Sequence, residues 1–220
     1  MKSQVNLTLS LLKQGADPGQ IQVKLALRKA LLGCQTVLDV GCGAAPTMRQ
    51  LEVPHCSGLE GYRPDLEKAK NLNTQDELIF GDVRELTTLF KPGQFDACIA
   101  MDVIEHLPKA DGVKFMRDME LIAKKKVVIF TPNGFLSQRQ SANSDLQAHF
   151  SGWETDEMKG FGYEVEGMLG PKNLRGEYHA LKNRPAIFWA MVSTLNQMLW
   201  VHRQPEKAAA ILCTKKLSNS

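Results

Sequence analysis

The 220-residue chain has no Cys-x-x-Cys pair and no cysteine–histidine spacing of the structural-zinc kind. Its five cysteines (Cys34, Cys42, Cys56, Cys98 and Cys213) are odd in number and mostly lie in apolar runs. That argues against a disulfide framework and for reduced, buried thiols, as in a cytoplasmic protein. No apolar run reaches the roughly 18 residues of a membrane span. The stretch from Met1 to Gly15 is too broken by Gln, Asn, Thr and Ser to read as a secretion signal. Charge of one sign is also missing: 27 Lys and Arg stand against 24 Asp and Glu, a net +3. This excludes the footprint of a dedicated nucleic-acid binder. The densest basic cluster, Lys124-Lys125-Lys126, precedes an apolar segment and reads as a solvated strand entrance. There are no repeats and no low-complexity tracts.

What is present is an ordinary globular composition, 43% hydrophobic and 23% charged, at a length that suits one domain. Short apolar runs alternate with helical patterns. Strands are predicted at Val37–Val40, Cys56–Glu60, Leu78–Phe80, Ala97–Ala100, Val127–Phe130, Tyr163–Met168 and Ala209–Thr214. Helices are predicted at 19–32, Pro64–Leu72, Leu86–Phe90, Gly112–Ala123 and Ala186–Trp200. Continuously apolar strands between helices imply an α/β fold with a parallel sheet covered on both faces. The organisation expected is one domain over 1–220, with N-terminal helices to residue 33, a core over 34–134 and a substrate-side region from 135 onward.

In open parallel sheets, ligands bind beyond the carboxyl ends of the strands. Here Gly41-Cys42-Gly43 follows the first strand, Glu60-Gly61-Tyr62 the second and Gly81-Asp82-Val83 the third. Met101-Asp102 follows the fourth and Thr131-Pro132-Asn133-Gly134 the fifth. Acids or glycines recur at nearly every tip, more than turn chemistry requires. The first turn lacks the third glycine of a dinucleotide fingerprint, since Pro46 stands in its place. Glu60, 19 residues after Gly41, is placed to accept hydrogen bonds from ribose hydroxyls. Asp39 beside the glycine turn would repel a pyrophosphate but attract a cation, and Asp82 offers an acceptor for an exocyclic amine. The ligand that matches is S-adenosylmethionine rather than a nicotinamide cofactor.

The segments VLDVGCG, GLEGYRPDLEKAK, FGDV, FDACIAMDVIEHL and VVIFTPNG resemble, in order and spacing, the motifs of class I S-adenosylmethionine-dependent methyltransferases of the small-molecule type. The resemblance covers about Thr36 to Gly134 and continues more loosely to AILCTKK. It implies a Rossmann-like three-layer sandwich with a seven-stranded, mostly parallel sheet whose last strand is antiparallel. It also implies that Gly41, Cys42 and Gly43 contact the methionine part and that Asp39 holds its amino group. Glu60, with Gly61, would hold the ribose, Asp82 and Val83 would frame the adenine, and Met101 would lie close by. Position 60 departs from the commonest pattern in carrying Glu rather than Asp.

The reaction expected is methyl transfer to a small-molecule acceptor, with oxygen the expected acceptor atom. His106, just after the fourth strand, is the first candidate base, and His149, in AHFSGW, the second. His55, His179 and His202 read as structural or exposed. Two alternatives stay open. One is a cofactor-binding domain without catalysis. The other is a metal-assisted O-methyltransferase acting on an RNA end or a quinone precursor, because Asp102, Glu105, His106 and His149 resemble the ligand set of such enzymes. Asp102 is shorter than the Glu those families use, and a helix-opening Asp with a capping Glu explains the same residues, so no metal ligand is assigned. Finally, Phe188, Met191, Val192, Leu195, Met198 and Leu199 share one face of the helix at 186–200, flanked by Lys182, Arg184, His202 and Arg203. It reads either as a helix packed on the sheet or in a dimer interface, or as a substrate-covering or membrane-surface helix.

Overall fold

The computed structural model describes residues 18–45, 47–136, 148–176 and 179–217. Its elements run α1 (Pro18–Ala30), β1 (Thr36–Val40), α2 (Thr47–Leu51), β2 (His55–Glu60), α3 (Arg63–Leu72), β3 (Glu77–Phe80) and α4 (Leu86–Leu89). There follow β4 (Phe95–Met101), α5 (Lys109–Ile122), β5 (Ala123–Pro132), α6 (Thr155–Gly160), β6 (Glu164–Pro171), α7 (Ala186–Leu199) and β7 (Ala208–Lys216). All seven strands form one sheet in the order β3-β2-β1-β4-β5-β7-β6. Strands β1 to β5 are parallel, and β7 runs antiparallel to both β5 and β6. This is the Rossmann-like sandwich with an antiparallel last strand that the motifs imply.

Alternate residues of the central strands feed two separate cores. Leu38, Val40, Cys98 and Ala100 join Phe115, Met116, Met119 and Trp153 on one face. Val37, Ala97 and Ile99 join Leu27, Met48 and Leu51 on the other. Burial on both faces explains why these strands carry no polar alternation. Strand order reverses where β1 lies between β2 and β4, so the crevice at the carboxyl ends of β1 and β4 is the natural ligand position. All five cysteines are free and buried.

The lysine cluster forms the solvated entrance of β5, which begins at Ala123: Lys124 and Lys125 are exposed and Lys126 is half-buried. Lys126 Nζ donates to the carbonyls of Ala30 and Leu32, both at 2.8 Å, closing the C-terminal end of α1. Lys125 pairs with Asp96 at 2.9 Å. One of the readings of α7 needs correction: it does not pack on the sheet by its apolar face. The side it buries is Ala190, Ser193 and Gln197, while Ile187, Phe188, Met191, Leu195, Met198 and Leu199 are exposed. The reason lies in β6, an edge strand whose main-chain groups need partners. Ser193 Oγ donates to Leu169 O, Gln197 Nε2 donates to Gly167 O, and Gln197 Oε1 accepts from Gly170 N. Gly170 has φ +73°, and a Cβ there would sit 2.2 Å from Ser193 Oγ, so the helix can approach the strand only over a glycine.

Candidate active site

Two groups of side chains meet at the carboxyl end of the sheet. The first is built almost entirely by β1, β2 and the turns that follow them. After Val40 the chain turns through Gly41 (φ +68°) and Gly43 (φ +55°), conformations open to glycine at little cost. Gly41 is constrained twice, because a Cβ would lie 2.7 Å from Val103 Cγ2. The turn is pinned from below, with Gly41 N and Cys42 N both donating to Leu59 O at 2.8 and 3.1 Å. It is pinned from the side by Glu60, whose Oε2 accepts from Gly43 N at 2.8 Å and whose Oε1 accepts from Tyr62 N at 2.7 Å. A carboxylate oxygen offers two lone pairs, so each oxygen of Glu60 keeps one acceptor position.

Asp39 is buried on β1 and accepts from Gln75 Nε2 at 3.1 Å. Burial pushes its carboxyl up to about 7, against the pull of the Gln75 hydrogen bond, and the charge of Glu60 adds to the rise. Near neutrality this group is therefore poised to ionise when a cation approaches. Asp82, after β3, accepts from Arg84 N at 2.8 Å and from the Arg84 guanidinium with both oxygens, which holds its carboxyl below the usual range. Val83 opens the short 3₁₀ turn Val83–Glu85, and Met101 ends β4. Asp39, Gly41, Cys42, Gly43, Glu60, Gly61, Asp82, Val83 and Met101 thus all fall at or just beyond the carboxyl ends of β1 to β4.

The second group follows β4. Asp102 turns the chain with φ +51°, its N–H donating to Phe130 O at 2.9 Å, and a 3₁₀ turn covers Ile104–His106. Glu105 neither caps a helix nor faces solvent. It is 2% exposed, and its Oε2 accepts from Thr131 Oγ1 at 2.9 Å while its Oε1 has no hydrogen-bond partner. Burial, and then the nearby charge of Asp102, push its carboxyl well above the ordinary carboxylate range. The carbonyl of Glu105 accepts from Phe150 N and Ser151 N at 2.8 and 3.1 Å, which brings the segment at 148–153 alongside. Trp153, fully buried, locks that segment by donating from Nε1 to Ser151 Oγ at 2.9 Å and to Ile104 O at 3.3 Å.

This docking sets His149 against His106, with ring centroids 4.8 Å apart and planes at 74°. His106 Nδ1 lies 3.1 Å from Ala148 O, and His149 Nδ1 lies 2.7 Å from Leu136 O. A carbonyl only accepts, so each Nδ1 carries the hydrogen and each neutral imidazole keeps a bare lone pair on Nε2. Burial pushes His149 below the usual histidine range, which keeps it neutral at neutral pH. The two candidate histidines are thus brought together. His179, expected to be structural or exposed, is half-buried beside this group. Its Nε2 meets Asp102 Oδ1 at 3.0 Å, and its ring lies 5.5 Å from that of Phe130. His179 and Thr131 are the neighbours that spacing along the chain did not reveal.

Residues 38–131 match the family model described as a methyltransferase domain. The 18S rRNA (guanine-N(7))-methyltransferase of Bos taurus is 32% identical over 99 residues, an alignment covering 41% of this chain and 35% of that protein. The chain therefore spans about a third of the length of the curated relative it matches. Among solved structures, phosphoethanolamine N-methyltransferase 2 of Haemonchus contortus, in complex with S-adenosyl-L-methionine, aligns with a TM-score of 0.58 at 17% identity. That alignment covers 90% of this chain and 53% of the other. A SAM-dependent methyltransferase from Archaeoglobus fulgidus aligns with a TM-score of 0.54 at 14% identity, over 89% and 93% of the two chains. These structures share the fold. The family match makes residues 38–131 a methyltransferase domain, and the sheet has the fold of the solved S-adenosylmethionine-dependent methyltransferases.

Proposed function

We propose that the chain transfers the methyl group of S-adenosylmethionine to a hydroxyl oxygen of a small-molecule acceptor. The cofactor supplies an electrophilic methyl group on a positively charged sulfur. Asp39 holds its amino group, Gly41, Cys42 and Gly43 let the backbone approach the methionine part, and Met101 closes that side. Glu60 uses its two spare acceptor positions on the ribose hydroxyls at Gly61, and Asp82 and Val83 frame the adenine. The acceptor lies beyond β4, where His106 and His149 stand side by side. Orienting the acceptor in line and excluding water is most of what methyl transfer from sulfur requires of a protein.

The observation that carries the choice of oxygen is the paired imidazoles, each with Nδ1–H committed to a carbonyl and Nε2 bare. An alcohol must lose a proton as it is methylated, and a neutral imidazole accepts it. The bovine relative and the nematode structure are named for nitrogen acceptors, which makes N-methylation the competing reading. The test is to incubate the protein with methyl-labelled cofactor and the small-molecule fraction of a cell extract, then identify the labelled product. A labelled ether or ester is expected, with His106→Ala slower by about 10²–10⁴-fold. A labelled amine, or full activity in that variant, overturns the oxygen reading.

A second surface bears on partners. The exposed apolar side chains of α7 are bordered by exposed Lys182, Arg184 and Arg203, an arrangement suited to an anionic lipid surface. Among the described residues no helix is long and apolar enough to cross a membrane. Contact would therefore be peripheral. The protein should float with anionic vesicles and lose that behaviour on Phe188→Glu. Failure of the folded wild-type protein to float removes this contact.

A further inference from the structure

We propose that Gln75 is a positioning residue of the cofactor end: its buried amide, aimed by Thr74 and admitted by Gly58, orients the Asp39 carboxylate toward the ammonium of the cofactor. The inference rests on the role given to Asp39 above. A carboxylate as buried as Asp39 persists as an anion only where it is hydrogen-bonded. Among the described residues its donor is Gln75 Nε2, 3.1 Å from Oδ2. No lysine or arginine among them pairs with it, and the charge that acts on it is that of Glu60, which repels. The neutral donor matters. A guanidinium or ammonium would neutralise the carboxylate and compete with the cation of the ligand. An amide fixes one oxygen and leaves the negative charge to be met.

Two details show that Gln75 is placed for this task. The first is the direction of its amide, whose oxygen accepts and whose nitrogen donates. Buried Thr74 donates from Oγ1 to Gln75 Oε1, which turns Nε2 toward Asp39. The backbone beneath is fixed to β2, because Asp76 N donates to Cys56 O at 2.9 Å and Cys56 N donates to Asp76 Oδ2 at 2.8 Å. The second detail is Gly58, the partner of Asp39 in the β1–β2 register. Its φ is outside the left-handed region, so the backbone does not require a glycine there. A Cβ at this position would lie 3.1 Å from Gln75 Cγ and 2.8 Å from Cys42 Sγ. A glycine inside a strand weakens it and marks a close approach. What approaches here is the Gln75 side chain, which crosses β2 from the segment between α3 and β3 to reach β1.

A hydrogen bond donated to a carboxylate favours its ionised form, so Gln75 opposes the rise that burial imposes on Asp39. The other titratable groups facing Asp39 are Glu60, Cys42 and Cys56. Burial pushes both thiols up, so they stay neutral. Asp76 and Arg49, which pair at 3.3 Å, act on Cys56 from beyond it. Removing the amide therefore moves the titration of Asp39 upward, out of the neutral range in which it can meet an ammonium as an anion. A glutamine kept only to fill space would leave that titration where it is.

The test has two readouts on the full chain. One is the titration of the Asp39 carboxyl in the ligand-free protein, followed by carbon-13 NMR, with the resonance assigned by its loss in Asp39→Asn. The other is calorimetric affinity for S-adenosylhomocysteine from about pH 5 to about pH 9. Gln75→Leu should raise the titration midpoint by about one pH unit or more. It should weaken binding at pH 7 by at least roughly tenfold, with the gap narrowing as pH rises. Thr74→Val, which removes the hydroxyl but keeps the shape, should move both readouts the same way by less, and Thr74→Ser should restore the wild-type profile. Thermal melts accompany the variants, and Thr74→Val stays informative if Gln75→Leu does not fold. An unmoved titration in folded Gln75→Leu, or in Thr74→Val where that variant alone folds, overturns the role of Gln75. If Asp39→Asn still weakens binding in that case, the role of Asp39 stands. A titration that moves while the affinity ignores both Asp39→Asn and Gln75→Leu removes Asp39 from the ammonium site, and the positioning role falls with it.

Discussion

At the β1–β2 edge of the crevice, the 25 residues from Thr36 to Glu60 contain the larger part of the cofactor end of the site. There the glycine turn is held by hydrogen bonds from main chain to one carboxylate. At the β4–β5 edge, the acceptor end draws Asp102, Glu105 and His106 from one turn, Thr131 from β5, His149 from the segment before α6 and His179 from beyond β6. The cofactor end is built by backbone geometry, with glycines at positive φ and a carboxylate bonded to two N–H groups. The acceptor end is built by side chains from remote segments, with one buried carboxylate oxygen unmatched. The first arrangement lies mostly in one chain segment, with Gln75, Asp82, Val83 and Met101 added from around β3 and the end of β4. The second exists only once the protein has folded and Trp153 has closed over Ile104.

That dependence sets the largest effect. Trp153→Ala removes a fully buried side chain, its hydrogen bond to Ile104 O in the turn after β4 and its hydrogen bond to Ser151 Oγ within 148–153. It should cost about 3–5 kcal/mol of stability in chemical denaturation. It should also separate His149 from His106 while leaving the glycine turn intact. A loss below about 1 kcal/mol would mean that the acceptor end is not held by this residue.

The next effect lies at the other end and has the opposite sign. Asp39 is pushed from 3.8 to about 7 in the folded protein. The folded state therefore holds a proton that the unfolded state has released over this range. The stability this proton supplies is fully present below about pH 4 and is lost as pH rises through about 7. Asp39→Asn should therefore be more stable than wild type by about 2–4 kcal/mol above pH 8, with the gap shrinking toward pH 4. Binding of S-adenosylhomocysteine, whose ammonium favours the ionised carboxyl, should strengthen in the wild type as pH rises through about 7, and this dependence should vanish in the variant. A pH-independent affinity in both proteins would remove Asp39 from the ammonium site.

Glu60→Ala should weaken S-adenosylhomocysteine binding by roughly 1.5–3 kcal/mol, because it removes charged hydrogen bonds to the ribose and also frees Gly43 N and Tyr62 N. Calorimetry measures this, and an unchanged affinity would contradict the role of the residue. The smallest effect should come from Asp102→Asn. Its side chain is 42% exposed, and solvent screens its pair with His179, so the expected stability loss is under about 1 kcal/mol.

The same contrast governs what was legible in the sequence. The sheet and the clustering of Asp39, Gly41, Gly43, Glu60 and Asp82 at strand tips follow from local patterns, because each residue acts within a few positions of the strand that presents it. The antiparallel last strand comes only from the family resemblance. His106 and His149 were singled out from their settings, but their meeting depends on Glu105 O accepting two N–H groups from a segment more than 40 residues on. No local pattern marks that bond. The pairing of His179 with Asp102 is not legible in the sequence, because a histidine in an irregular segment carries no periodicity and its partner is 77 residues away. One of the readings of the apolar helix, packing on the sheet by its apolar side, fails for another reason. Amphipathic logic assigns the apolar side to the core, whereas an edge strand with unpaired main-chain groups takes the side that can hydrogen-bond, here Ser193 and Gln197.

If the two ends are built independently, damage at the acceptor end must leave cofactor binding intact. The direct measurement is calorimetric titration of S-adenosylhomocysteine into the His106→Ala/His149→Ala double variant. An affinity within about 0.5 kcal/mol of wild type is the predicted result. A loss as large as that of Glu60→Ala would contradict the account, because the imidazole pair would then belong to the cofactor end.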